Sequence, residues 1–348
     1  MNAVQSGRCR TRDTSAFSFP AFPPSKLGHC PRRAALDFAQ CLRANARRMK
    51  LLLTLALFAA SLPLTAADPL PDNLKQGSFV IGCQAWTFNR FSVFEAIEKT
   101  AATGAKTIEF FPGQKLSQQE PDIQFSHSPA KGTDRKKPAE KLDAAASKAV
   151  WEKVKAELKE HGITPVAYGV VGIPKDAAGA KEVFEFAKYF GIRVINTESV
   201  DAIDTFEPLV KEYDIKVGFH DHPKKADKPD YRMWDPNYIL EVCKGRDARI
   251  GSCADTGHWV RSGLKVVDCL QILKGRIVSS HLKDLDVAPN GHDVPYGTGV
   301  SDVPAILNEY AAQGFVGPIS VEYEYKQEDN LAEAKQCIEF VRGYKVKK

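Results

Sequence analysis

The chain has 348 residues, of which 43% are hydrophobic and 26% charged, with a formal net charge of +5. This ordinary globular composition leaves room for one large domain or two small ones. Much of the positive excess lies in the first fifty residues, where Arg8, Arg10, Arg12, Arg32, Arg33, Arg43, Arg47 and Arg48 face only Asp13 and Asp37. The remainder is close to neutral, so charge gives no reason to expect nucleic acid or an anionic membrane as partner.

In chain order, the first signal starts at Met49: Met-Lys, an apolar run from Leu51 to Leu64, then Thr65-Ala66-Ala67 before Asp68. A charged start, a short apolar stretch and a small-residue cleavage site read as a secretory signal over 49–67, which predicts a secreted or periplasmic protein. The run is shorter than the roughly 20 residues that span hydrocarbon, so a membrane anchor is disfavoured. Residues 1–48 read as a disordered extension or a mis-assigned translation start, and Pro-rich 68–78 as a linker to a domain over 79–348. Of eight cysteines, five follow the signal: Cys83, Cys243, Cys253, Cys269 and Cys337. They are odd in number, scattered and without a CxxC pair, which predicts buried small hydrophobes and neither disulfides nor a thiolate metal site.

From there short apolar runs alternate with amphipathic segments. Strands are expected over 80–87, 106–111, 164–170, 193–198, 216–220, 249–254, 277–282 and 319–323. Helices are expected over 93–103, 147–161, 177–190, 203–213, 236–243, 266–273, 303–312 and 331–341. Glycines at 104, 162, 191 and 314 close helices as C-caps do. Eight strand-helix units over roughly 250 residues predict a single α/β domain, a closed (β/α)8 TIM barrel. An open doubly wound sheet would want GxGxxG after the first strand, where Gly82-Cys83-Gln84-Ala85-Trp86 stands instead. Two long insertions, 112–146 and 286–301, follow strands and belong at the C-terminal mouth, where barrel enzymes keep their substrate loops. The first reads equally as a lid or a disordered surface loop.

The polar residues that carry chemistry fall at the ends of the later strands. Asn196-Thr197-Glu198-Ser199 ends the fourth and Phe219-His220-Asp221-His222-Pro223 the fifth. Asp255-Thr256-Gly257-His258-Trp259 ends the sixth, Ser279-Ser280-His281-Leu282-Lys283-Asp284 the seventh and Ser320-Val321-Glu322-Tyr323-Glu324 the eighth. A lone Glu, Asp or His at a strand end is more often a hydrogen-bonded structural residue than a ligand. Five consecutive strands ending in such residues converge on one mouth, and this shifts the reading to a site. Only one of Glu322 and Glu324 is expected to point inward; Glu322 is chosen, with Glu324 at the rim. Trp86, Phe88 and Phe111, near the ends of the first two strands, could offer ring faces to a ligand, although each reads at least as well as a core aromatic.

From roughly Phe79 to Tyr344, on the strength of NTES, FHDHP, ADTGHW, SSHLKD and ISVEYE, the chain resembles the xylose isomerase-like TIM barrel superfamily of sugar isomerases and epimerases. It is most similar to the branch with inosose dehydratase, ketose 3-epimerases and hydroxypyruvate isomerase. The resemblance implies one divalent ion held by Glu198, Asp255, His281 and Glu322, with His220 the rival of Glu198. It implies that His258 meets substrate, that His220, His222, Lys283 and Trp86 line its site, and that Glu198 and Glu322 move the proton. Three carboxylates and one imidazole are a hard set that favours Mn²⁺ or Mg²⁺, with Co²⁺ or Zn²⁺ as alternatives.

The implied function is isomerisation or epimerisation of a small non-phosphorylated sugar or keto-sugar through an enediolate. A lyase or dehydratase of keto-sugars or 3-keto-glycosides shares its first step. A second class, the apurinic endonucleases, would need three zinc ions and additional histidines on the early strands, which are missing. A third, a non-catalytic carbohydrate-binding barrel, would keep the aromatics and lose the ligands. The expected partner is a small carbohydrate, with no nucleic acid, no stable membrane insertion after signal cleavage, and homo-oligomerisation left open.

Overall fold

The structure is a computed structural model that describes residues 70–132 and 138–347. The expected extension (1–48) and export signal (49–67) lie outside the described residues. Eight strands close a parallel barrel: β1 (Val80–Gln84), β2 (Thr107–Phe110), β7 (Thr164–Tyr168), β8 (Val194–Thr197), β9 (Lys216–His220), β10 (Ile250–Asp255), β11 (Ile277–Leu282) and β12 (Pro318–Val321), with β1 paired to both β2 and β12. β3 (Gln114–Lys115), β4 (Ile123–Phe125), β5 (Ala130–Lys131) and β6 (Glu140–Lys141) form a separate antiparallel sheet within the first insertion.

The helices are α1 (Val93–Ala102), α2 (Ala144–His161), α3 (Ala177–Phe190), α4 (Ile203–Tyr213), α5 (Pro236–Val242), α6 (Thr256–Arg261), α7 (Val266–Ile272), α8 (Val303–Ala312) and α9 (Leu331–Gly343). Local chemistry sets their ends. Ser92 and Glu95 close a capping box on α1, Asp143 and Asp176 cap α2 and α3, and each such cap is worth about 1 kcal/mol. Gly162 and Gly191 end α2 and α3 in the left-handed conformation that a side chain resists. None of the helices among the described residues is long and apolar enough to cross a membrane.

The first insertion folds onto the barrel through aromatic contacts. Phe125 of β4 packs 5.0 Å from Phe110, 5.6 Å from Phe186 and 5.7 Å from Phe190, ring centre to ring centre. Residues read as linker are also ordered: Leu70 and Leu74 are buried with Val80 and Val166, and the Gln76 side chain bonds to Gly104 and Lys106. The five cysteines of the barrel are free and buried.

Candidate active site

Barrel register brings the polar strand ends together. His220 is level with Cys253, so Asp255 stands two residues further toward the mouth; Asp255 is level with His281, and His281 with Ser320. Glu322 then follows two residues beyond Ser320, on the same face. One donor atom from each of His220, Asp255, His281 and Glu322 lies within 4.8 Å of the others. His220 Nε2 is 3.5 Å from Asp255 Oδ2, and His281 Nδ1 is 3.9 Å from Asp255 Oδ2 and 3.2 Å from Glu322 Oε2. All four residues are buried, yet both ring nitrogens of His220 and the Nδ1 of His281 lack a hydrogen-bond partner.

Glu198, expected to join Asp255, His281 and Glu322 around the ion, is placed in a neighbouring group instead. It lies beyond the end of β8, where its carboxylate meets His222 Nδ1 and accepts the Tyr231 hydroxyl at 3.1 Å. His220 stands between the two sets, with its Nδ1 4.0 Å from Glu198 Oε1. Glu198, His220 and His222 thus form a second, more open cluster. Against the cost of burial, the neighbouring His220 ring and the His222 hydrogen bond hold the Glu198 carboxyl well below its usual range. Burial likewise opposes a charge on His220, but Asp255 and Glu198 on its two sides push its pKa up to about 10.

Lys283, expected beside the substrate, is engaged by carboxylates. Its fully buried ammonium is 2.6 Å from Glu322 Oε2 and 2.9 Å from both Asp255 Oδ2 and Glu324 Oε2. Burial disfavours its charge, and the three carboxylates overcome that and raise its pKa well above the ordinary value. Glu322 and Glu324 therefore both reach inward, correcting the choice of one. Strand alternation puts residues two apart on the same face. The Lys283 stem passes over Gly257, where an added Cβ would stand 2.7 Å from Lys283 Cδ.

His258 opens α6, its backbone N–H held by Asp255 Oδ1 at 2.8 Å. Arg261 Nη1 lies 3.2 Å from His258 Nδ1; a guanidinium only donates, so Nδ1 accepts and the ring proton sits on Nε2. Burial holds the His258 pKa well below that of ordinary imidazole despite nearby Asp255. The ring stacks on His222 with centres 4.9 Å apart.

These groups open on a cavity of about 270 Å³ at the barrel mouth, walled by Trp86, Phe111 and Pro112 on one side and by His220, His222, His258, Glu322 and Glu324 on the other. Trp86 is 41% exposed and meets Phe111 edge to face at 4.9 Å, whereas Phe88 is wholly buried in the core. Among the described residues, no Lys or Arg lines the cavity.

Sequence reasoning missed Glu109. This wholly buried carboxylate in β2 accepts from Asn196 Nδ2 at 2.7 Å and Ser320 Oγ at 2.7 Å, and meets His281 Nε2 at 3.0 Å. Also missed was the role of Asp284, whose carboxylate gathers the backbone N–H groups of Gly297, Gly299 and Ser301 and so fixes the second insertion over the mouth.

The buried set fits a divalent cation. Asp255, Glu322 and Glu324 outnumber the Lys283 ammonium among them, with Arg261 offsetting part of this at 3.4 Å from Glu324, and unpartnered imidazole nitrogens facing carboxylate oxygens call for a proton or a cation between them. Metal–ligand bonds of about 2.1 Å bring donors to about 3.0–3.4 Å of one another, a range that the 3.2 Å contact of His281 meets and the 3.5 and 3.9 Å contacts of Asp255 exceed.

Similarity to known proteins agrees with this architecture. A crystal structure of an uncharacterized protein from Parabacteroides distasonis is 31% identical, covering 75% of this chain and 97% of that one, with a TM-score of 0.55. A sugar phosphate isomerase/epimerase from the same organism is 11% identical over 80% of this chain and 98% of its own, with a TM-score of 0.53. A family 2 AP endonuclease from Brucella melitensis is 13% identical over 76% and 99%, also at 0.53. At such identities the last two are alike in fold alone. Among curated proteins no sequence matches the chain. The family model described as xylose isomerase-like TIM barrel matches residues 97–344, and the chain belongs to that family.

Proposed function

We propose that the protein is a divalent-metal-dependent isomerase or epimerase of a small, non-phosphorylated sugar or keto-sugar. The observation that carries this reading is the buried set of His220, Asp255, His281 and Glu322, with unpartnered ring nitrogens, opening on an aromatic-walled cavity. These four residues would hold the ion, with Mn²⁺ or Mg²⁺ preferred for the two carboxylates and Co²⁺ or Zn²⁺ alternatives suited to the two imidazoles. When bound, such an ion polarises a carbonyl and lowers the cost of removing the proton beside it.

The side chains supply the rest. Trp86 and Phe111 offer apolar faces to a sugar ring, and the Nε2–H of His258 is a donor to a substrate oxygen. His222, 38% exposed and oriented by Glu198, and Glu322 both border the cavity, so each is a candidate to take up or return the substrate proton. Glu198 itself then serves as the partner of His222. A cavity wall that holds two carboxylates and, among the described residues, neither Lys nor Arg suits a neutral sugar better than a phosphate ester, and the same substrate class would suit the export that the sequence at Met49 leads us to expect.

A lyase or dehydratase is the second reading, since expulsion of a β-leaving group follows the same proton abstraction. Incubation with Mn²⁺ and panels of keto-sugars and 3-keto-glycosides in D₂O separates them. Deuterium exchange with an isomeric sugar as product supports the first reading, eliminated product the second, and neither exchange nor turnover would overturn both.

A further inference from the structure

We infer that Glu109 is a positioning residue that fixes the ring of His281 with its proton on Nε2 and its Nδ1 free for the ion, an inference that rests on the metal reading above. A carboxylate oxygen only accepts, so the 3.0 Å contact between Glu109 Oε1 and His281 Nε2 requires the proton on Nε2. The other neutral tautomer would set a ring lone pair against a buried carboxylate. Nδ1 is the nitrogen turned toward Glu322 Oε2 and Asp255 Oδ2, and it lacks a hydrogen-bond partner.

Glu109 is itself held from two sides. Ser320 Oγ donates to its Oε2 and Asn196 Nδ2 to its Oε1, each at 2.7 Å. Asn196 cannot flip, because its Oδ1 would then face the Glu109 carboxylate, which only accepts; with the NH₂ on Glu109, Oδ1 accepts from Ser279 Oγ at 2.7 Å. Residues from β2, β8, β11 and β12 thus converge beneath the mouth on one imidazole. The arrangement uses a carboxylate to orient a ligand without lending it to the ion.

The test titrates metal-free protein with MnCl₂ by calorimetry and reads the histidine rings of the Zn²⁺-loaded protein by ¹⁵N NMR, with His281→Gln to assign the signal. Glu109→Ala and Glu109→Asp, which withdraws the carboxylate by one methylene, should bind Mn²⁺ about 10- to 100-fold more weakly. Glu109→Gln keeps an acceptor for the Nε2 proton and should stay within about threefold of the parent. His281 should show a single Nε2-protonated ring in the parent and in Glu109→Gln, and lose it in Glu109→Asp. Parent-like affinity in folded Glu109→Ala or Glu109→Asp, or an equal loss in Glu109→Gln, would overturn the inference. Should the parent bind no Mn²⁺, the metal reading falls, and the hydrogen-bonded Nε2 proton in the metal-free protein still decides the role of Glu109.

Discussion

Lys283 Nζ lies 2.6 Å from Glu322 Oε2, the same oxygen that faces His281 Nδ1 at 3.2 Å. The ammonium also meets Asp255 Oδ2, the oxygen that faces His220 Nε2, so it contacts both carboxylates that would hold an ion. Removing one partner of a buried ion pair leaves the other charge uncompensated. Lys283→Met should therefore destabilise the metal-free protein by about 3–5 kcal/mol. Urea unfolding with and without Mn²⁺ reads this, with the ion recovering part of the loss.

The stem of the same lysine accounts for Gly257. An alanine there would place its Cβ 2.7 Å from Lys283 Cδ and 2.8 Å from Lys283 Cβ, inside a buried region with no slack. Gly257→Ala should cost about 1–3 kcal/mol through overpacking. Unchanged thermal unfolding would show that the lysine moves aside freely.

Asp293 makes stability depend on pH. Burial pushes its pKa up to about 6, against the pull of Lys283 and Arg261, and its Oδ1 has no hydrogen-bond partner. The folded state thus keeps a proton that the unfolded chain releases near its ordinary value of 3.8. Its contribution is fully present below that value and is lost as pH rises through about 6, a change of about 3 kcal/mol at most. The difference in unfolding free energy between the parent and Asp293→Asn should vary across that window and level off above it; a constant difference contradicts the assignment.

Trp86 is exposed at the cavity wall and carries little of the core. Trp86→Ala should leave the melting temperature nearly unchanged. Loss of about 1 kcal/mol of stacking on substrate would raise KM about fivefold with kcat held. Steady-state kinetics on the substrate found in the sugar panel provides the check.

The barrel was legible because each strand-helix unit carries its own signals. The bounds of β9, β11, α3, α4 and α8 agree with those expected from hydrophobic period and caps. The small sheet in the first insertion was not legible: its strands are two or three residues long and largely polar, too short for alternation to register. Residues 133–137 of that insertion lie outside the described residues. Asp255, His281 and Glu322 stood out because they end strands, and barrel closure brings strand ends together. Glu109 was hidden for the opposite reason, since its partners Asn196, His281 and Ser320 lie 87, 172 and 211 residues away and only the barrel register unites them. Glu198 stood out for the same strand-end position, but its contacts to His222 and Tyr231 come from residues 24 and 33 positions away and were not legible.

Metal content decides the central claim most directly. Protein purified without chelator and analysed by elemental mass spectrometry should carry about one divalent ion per chain, and Asp255→Asn and His281→Gln should each lose it while Glu198→Gln retains it. A parent protein free of metal that converts its sugar at full rate in excess EDTA would contradict the account.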